Sequence, residues 1–181
     1  SYQQALILDP TLVITPELEA KAQHIDAMVK QSADLGEQGE ITKSVAAYQK
    51  VLELYADYGV TPTVAVKEQY AAMLVKQANS LAQSGEITNA VVSYQQALTL
   101  DSTLVITPEV EAKRQYAPII RKQADGLAQS GEITKSIASY EQALQLDPTL
   151  IITPEVEAKH QYAPVILKQA KEETKSGEKR K

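Results

Sequence analysis

The sequence has no cysteine, no tryptophan and no phenylalanine among its 181 residues, and only two histidines. Without cysteine there are no disulfides, no thiolate metal sites and no cysteine nucleophiles, although this absence does not identify a compartment. With two of the three large aromatics missing, nine tyrosines and the many Leu, Ile and Val residues must build the core. No apolar run approaches the roughly 20 residues needed to span a bilayer. The opening SYQQALILDP has neither a basic start nor a signal-type apolar centre. An excess of basic residues is missing too: 18 Lys and Arg against 23 Asp and Glu leave a formal charge of −5 and a pI near 5.1. That balance argues against a polyanion as the main ligand, since phosphate binding draws on net positive charge. What remains, 44% apolar and 23% charged, is globular composition with enough chain for one well-buried domain. The totals predict a soluble protein, cytoplasmic by default, with neither nucleic acid nor a membrane as partner.

The chain is built on a repeat. SYQQAL at Ser1 recurs as AYQKVL at Ala47, SYQQAL at Ser93 and SYEQAL at Ser139, and the steps 47 − 1, 93 − 47 and 139 − 93 are each 46. Thr-Pro falls at Thr15, Thr61, Thr107 and Thr153, and Gly-Glu at Gly39, Gly85, Gly131 and Gly177, with no insertion or deletion. Such regularity predicts one array of equivalent stacked units over 1–181, divided as 1–46, 47–92, 93–138 and 139–181. The last unit is truncated. Its tail, KEETKSGEKRK from Lys171 to Lys181, carries five basic and three acidic residues. Glu173 stands where an earlier copy has Leu127, and Lys171 where it has Asp125, so the tail reads as a solvating end cap. Because the chain opens at Ser1 within a helical pattern, it is expected to be a fragment or a processed product.

Within a unit, Ile133, Ile137, Tyr140, Ala143, Leu144 and Leu146 recur at spacings near three and four, predicting an amphipathic helix of about four turns. Gly131 precedes it and Asp147-Pro148 stops it, because proline cannot continue the preceding turn. Another helix is expected to start at Thr-Pro-Glu: Thr107 can cap with its hydroxyl, Pro108 occupies the permitted first position, and Glu109 and Glu111 suit the positive end. It should run to the glycine of the next unit, with an apolar seam of Val110, Ala117, Ile120, Ala124 and Leu127 interrupted by Lys113. Pro118 and Pro164 fall inside this helix, where proline costs about 3 kcal/mol and removes a hydrogen bond. Either the helix kinks there, or it ends near Tyr116 and a new one starts at Pro118. The kink is preferred, because equivalent units must still stack. Asp26 and Ala72, at the same position in earlier copies, pose no such obstacle.

Leu127 to Pro148, LAQSGEITKSIASYEQALQLDP, resembles the second half of the tetratricopeptide repeat. Gly131, Tyr140, Ala143, Leu144 and Pro148 fall on that family's loop glycine, aromatic, small, apolar and terminal proline positions, with Ser136 where a small alanine is usual. The register recurs at Gly85 with Ala90 and Tyr94, and at Gly39 with Ser44 and Tyr48. The family's unit has 34 residues, so about 12 extra residues fall here before the first helix of each pair. The family's early Trp and Leu positions hold Ile120 and Gln123. The resemblance implies an all-α solenoid of stacked antiparallel helix pairs, a right-handed superhelix, with the first helix of each pair lengthened or preceded by an extra turn.

It also implies a protein–protein interaction scaffold that binds a peptide or helix of a partner on a concave wall made by the first helices. Carried over by position, the ligand-facing rows are Val29, Val75, Arg121 and Leu167; Ala33, Asn79, Asp125 and Lys171; and Glu37, Gln83, Gln129 and Lys175. The row of Tyr70, Tyr116 and Tyr162, with His24 in the first copy, is read as packing ahead of a recognition ladder. Tyr2, Tyr48, Tyr94 and Tyr140 are assigned to the core. No enzyme reading is supported: there is no phosphate loop, nucleophile elbow or HExxH, and Glu109, Glu111 and Lys113 read as helix-start charges. His24 and His160 lie in different repeats with no further His or Cys near them, so no metal or other cofactor is expected. An alternative function is self-assembly, in which Tyr2, Ala5, Leu6 and Leu8 expose an apolar face that another copy covers head to tail.

Overall fold

The computed structural model describes residues 16–178, all of whose regular elements are helices. They are α1 (Pro16–Glu37), α2 (Ile41–Asp57), α3 (Val64–Gln83), α4 (Ile87–Leu100), α5 (Pro108–Gln129), α6 (Ile133–Leu146) and α7 (Pro154–Glu178). The fold is an all-α helical repeat in which a long first-type helix (α1, α3, α5, α7) alternates with a second-type helix (α2, α4, α6). The first-type helices run for 22, 20, 22 and 25 residues, so the extra residues of each repeat lengthen the helix. The opening segment, with Tyr2, Ala5, Leu6, Leu8 and Thr15, lies outside the described residues, as do the last three of the tail.

The sequence signals act locally much as the residue chemistry requires, with two differences. Thr107 is extended (φ −101, ψ 104) before Pro108, yet its hydroxyl makes no cap bond; its carbonyl accepts the first helical bond, from Glu111 N–H at 2.9 Å. Proline's fixed φ and the first-turn Glu109 and Glu111 therefore begin α5. In the second copy the helix starts two residues after Pro62, because Thr63 replaces the first-turn glutamate and receives Val66 N–H on its hydroxyl at 3.3 Å. As the preferred reading has it, α5 continues through Pro118, which removes the alternative of a new helix starting there. The exit is closed by Gly131 (φ +85), with Gly131 N–H on Ala128 carbonyl and Glu132 N–H on Leu127 carbonyl, both 2.9 Å. This is a left-handed glycine cap, and a side chain there meets the penalty for positive φ.

The chain divides into two compact units, 1–78 with 92–105 and 79–91 with 106–181. In the first, Tyr48, Tyr70, Ala71, Leu74 and Ala97 form one core cluster, and Ile25, Val51, Tyr55 and Val66 another. The Tyr48 and Tyr70 rings stack with centroids 5.7 Å apart. In the second, Ala124, Ala128, Tyr140 and Ala158 are buried together, with Ile133, Ile137 and Ile152 packed around them. The seam of α5 is Ala112, Ala117, Ile120, Ala124 and Ala128. Val110 is 52% exposed and Leu127 only half-buried, so the seam sits one residue later than expected at its C-terminal end.

Small residues let the helices of each pair approach closely. Ser136 Oγ donates to the Ala124 carbonyl at 2.8 Å, and Ser44 Oγ to the Ser32 carbonyl at 2.7 Å, both bonds buried. A buried hydroxyl is thereby satisfied where one of these repeats carries Ala90 instead. The second-type helices α4 and α6 end in the same turn. Asp101 and Asp147 each accept the N–H and hydroxyl of the threonine two residues on, Thr103 and Thr149. These bonds hold both carboxyls below their usual pKa.

Candidate functional site

The long first-type helices position the candidate surface. In the first unit, α1 and α3 lie side by side and leave a groove of about 290 Å³ lined by Ala33, Glu37, Tyr48, Gln69, Ala72, Met73 and Lys76. Ala33 and Ala72 keep it open, since neither carries a side chain past Cβ. Met73 lies half-buried there because Gly36 lacks a Cβ; one built at Gly36 would be 2.6 Å from the Met73 sulfur. The equivalent positions in the later first-type helices are Ala82, Ala128 and Thr174, so this sulfur-lined recess belongs to the first pair. Glu37 and Lys76 place opposite charges on the lining, and the Tyr48 hydroxyl donates to Gln69 Oε1 at 3.3 Å. Burial raises the Tyr48 and Tyr70 pKa values, so both hydroxyls stay protonated at neutral pH. The groove thus offers an adaptable thioether, an amide, and one charge of each sign.

The counterpart positions in the second unit are filled differently. Asp125 stands where the first unit has Ala33, and it accepts the Tyr140 hydroxyl. Burial, and then this carboxylate, push the Tyr140 pKa far up, against a smaller opposing effect of Arg121. Gln129 donates to Gln161 at 3.3 Å, which donates to Glu157 at 3.0 Å. The same chain recurs from Gln83 to Gln115 at 3.2 Å and on to Glu111 at 2.8 Å. These side-chain ladders tie successive first-type helices together. Tyr116 and Tyr162 pack on the flanking glycines, their rings 3.6 and 3.5 Å from where a Cβ on Gly85 and Gly131 would sit.

The expected rows are therefore scattered in role. Ala33 and Glu37 line the groove of the first unit. Val29 and Val75 are half-buried against its core. Arg121 is exposed, Asp125 is engaged by Tyr140, and Asn79 is half-buried. Gln83 and Gln129 serve the ladders, whereas Leu167, Lys171 and Lys175 are exposed on α7. Lys76, Gln69, Ala72 and Met73 escaped sequence reasoning. The signal for Met73 was Gly36, at a position that holds Ala82, Ala128 and Thr174 in the later copies. His24 Nδ1 is 2.8 Å from the Tyr58 hydroxyl, and among the described residues no three His, Cys, Asp or Glu gather closely enough to hold a metal ion. Among the same residues no helix is long and apolar enough to cross a membrane.

The tetratricopeptide repeat family matches residues 71–104 and 125–150. The first match begins inside α3 and covers α4; the second covers the end of α5 and all of α6. Sequence and fold together make this a tetratricopeptide-repeat-like protein. Such repeats generally mediate protein–protein interaction and are typically non-enzymatic scaffolds. No curated protein is recognisably similar to the chain.

Proposed function

We propose that this tetratricopeptide-repeat-like chain is a protein-interaction module that holds a segment of a partner protein in the α1–α3 groove and performs no chemistry of its own. The observation that carries the reading is the groove itself: small residues open it, Met73 adapts its floor, and Gln69 offers both a donor and an acceptor to a peptide backbone. Glu37 and Lys76 would set the orientation of a ligand carrying complementary charges. In the second unit Arg121, one of the exposed row residues, is assigned to the partner, while Val29, Val75, Asp125, Gln83 and Gln129 hold the first-type helices in place.

The test is selection of peptides on the immobilised chain from a random displayed library, followed by affinity measurement against variants. Ala33→Arg fills the groove from a half-buried position, and Lys76→Glu reverses one of its charges. The reading expects at least tenfold weaker binding to Ala33→Arg and an altered charge preference with Lys76→Glu. Peptides that bind both variants as they bind the wild type would place recognition elsewhere.

A further inference from the structure

In the first unit, Val45 and Leu52 of α2 and Leu100 of α4 pack half-buried against a core that includes Tyr70 and Leu74 of α3. A cavity of about 400 Å³ remains among these side chains. Every lining residue belongs to the first unit, and none is shared with the α1–α3 groove. Its size falls within the range of small-ligand sites, about 300–1,000 Å³. Tyr70 sets it apart. The repeat counterparts Tyr116 and Tyr162 lay ring edge and hydroxyl against Gly85 and Gly131, whereas nothing lies within 4 Å of where a Cβ on Gly39, the matching glycine, would sit. Tyr70 instead stacks on the Tyr48 ring. It is nine-tenths buried, yet among the described residues its hydroxyl has no hydrogen-bond partner. A buried hydroxyl ordinarily finds one. The oxygen is not sealed from solvent, and the surface that Tyr70 keeps lines this cavity. The hydroxyl is therefore a donor aimed into an otherwise aliphatic chamber.

We propose that this cavity binds a small uncharged molecule with an aliphatic body and a carbonyl group, of the class of aliphatic amides, whose oxygen accepts the Tyr70 hydroxyl. Val45, Leu52, Leu74 and Leu100 enclose the aliphatic part. At the exposed rim, Gln49 and Gln96 each carry a donor and an acceptor for the amide end. The Thr99 hydroxyl donates to the Gln95 carbonyl at 3.0 Å, which leaves its oxygen to accept an N–H from the ligand. Tyr70 stays protonated at neutral pH, because burial raises its pKa. No lining side chain carries a charge, so a carboxylate or an ammonium group entering the cavity loses hydration without meeting a counter-ion. The site is separate from the α1–α3 groove and does not depend on a partner binding there.

Methyl shift titration of the whole labelled chain tests the proposal, with hexanamide as the probe and hexanoate and hexylammonium as charged counterparts of the same length. Hexanamide is expected to give saturable shifts at the Val45, Leu52, Leu74 and Leu100 methyls, and the two ions to bind about tenfold more weakly or worse. Tyr70→Phe removes a hydroxyl that no protein group holds, so its melting temperature should match the wild type while hexanamide binds about threefold more weakly or worse. Thr99→Trp, at an exposed position of α4, fills the cavity mouth and should abolish binding; it carries the test alone if circular dichroism shows Tyr70→Phe to be unfolded. The absence of saturable hexanamide shifts, shifts at other residues only, ions bound as tightly as the amide, or an affinity unchanged in either folded variant would overturn the proposal.

Discussion

The hydroxyl of Tyr140 allows a direct measurement of what the repeat spends its variable positions on. Tyr140 and Tyr48 are repeat equivalents, both fully buried, yet Tyr140 donates to the Asp125 carboxylate and Tyr48 to the neutral Gln69 amide at 3.3 Å. A hydrogen bond to a charged acceptor contributes about 1.5–3 kcal/mol and a neutral one about 0.5–1.5 kcal/mol. Asp125 is half-buried and can turn to water when its donor is lost, which puts Tyr140→Phe near the lower figure, about 1.5 kcal/mol. Tyr48→Phe, giving up a long bond, should cost about 0.5 kcal/mol. Urea unfolding followed by circular dichroism reads both. With a slope near 1.5 kcal/mol per molar, the Tyr140→Phe midpoint falls by about 1 M and the Tyr48→Phe midpoint by about a third of that. A double-mutant cycle with Asp125→Ala should show the Tyr140→Phe cost largely vanish once the carboxylate is gone. Equal losses for the two tyrosines, or a Tyr140→Phe cost that survives in the Asp125→Ala background, would refute the assignment.

Three further outcomes follow from the packing. Tyr48, Tyr70 and Tyr140 all have raised pKa values in the folded chain, chiefly through burial. Their contribution is therefore fully present below the unfolded tyrosine pKa of about 10 and is lost as pH rises through the folded values. Denaturation midpoints should fall steeply above about pH 10, less so in Tyr140→Phe, and a flat profile would contradict this. Pro118 is exposed and lies inside a continuous α5, so Pro118→Ala restores a donor at little loss of packing. It should stabilise the chain by up to about 3 kcal/mol, and a lower melting temperature would mean that the proline shapes α5 in a way the packing needs. Gly131→Ala places a Cβ at φ +85 beside the Tyr162 ring and should cost about 1–2 kcal/mol, measured by thermal melts against Gly126→Ala, a helical site with open space that should gain stability.

The fold was legible in the sequence because its signals are local and repeated. Thr-Pro, Gly-Glu and the Tyr-x-x-Ala-Leu register mark starts, caps and buried faces, and the second-type helices begin at Ile41, Ile87 and Ile133 in step with them. The exceptions come from single substitutions that a repeat average hides. Thr63 in place of a glutamate delays α3, and the α5 seam begins on Ala112 and ends on Ala128, the smaller neighbours of the Val110 and Leu127 that apolarity alone picks out. The site was less legible, because position in a repeat does not say what a side chain meets across the groove. Val29 and Val75 share a row with Arg121 but are held by the core, and Gln83 and Gln129 are held by ladder partners 32 residues on. Lys76 and Gln69 lie opposite Glu37 only once α1 and α3 are placed side by side.

The central claim is that a partner segment is received in the α1–α3 groove, and amide shift mapping tests it most directly. The isotope-labelled chain is titrated with a peptide selected on it. The account predicts the largest shifts at Ala33, Glu37, Gln69, Ala72 and Lys76. Shifts confined to α7, or to residues outside that groove, would contradict it.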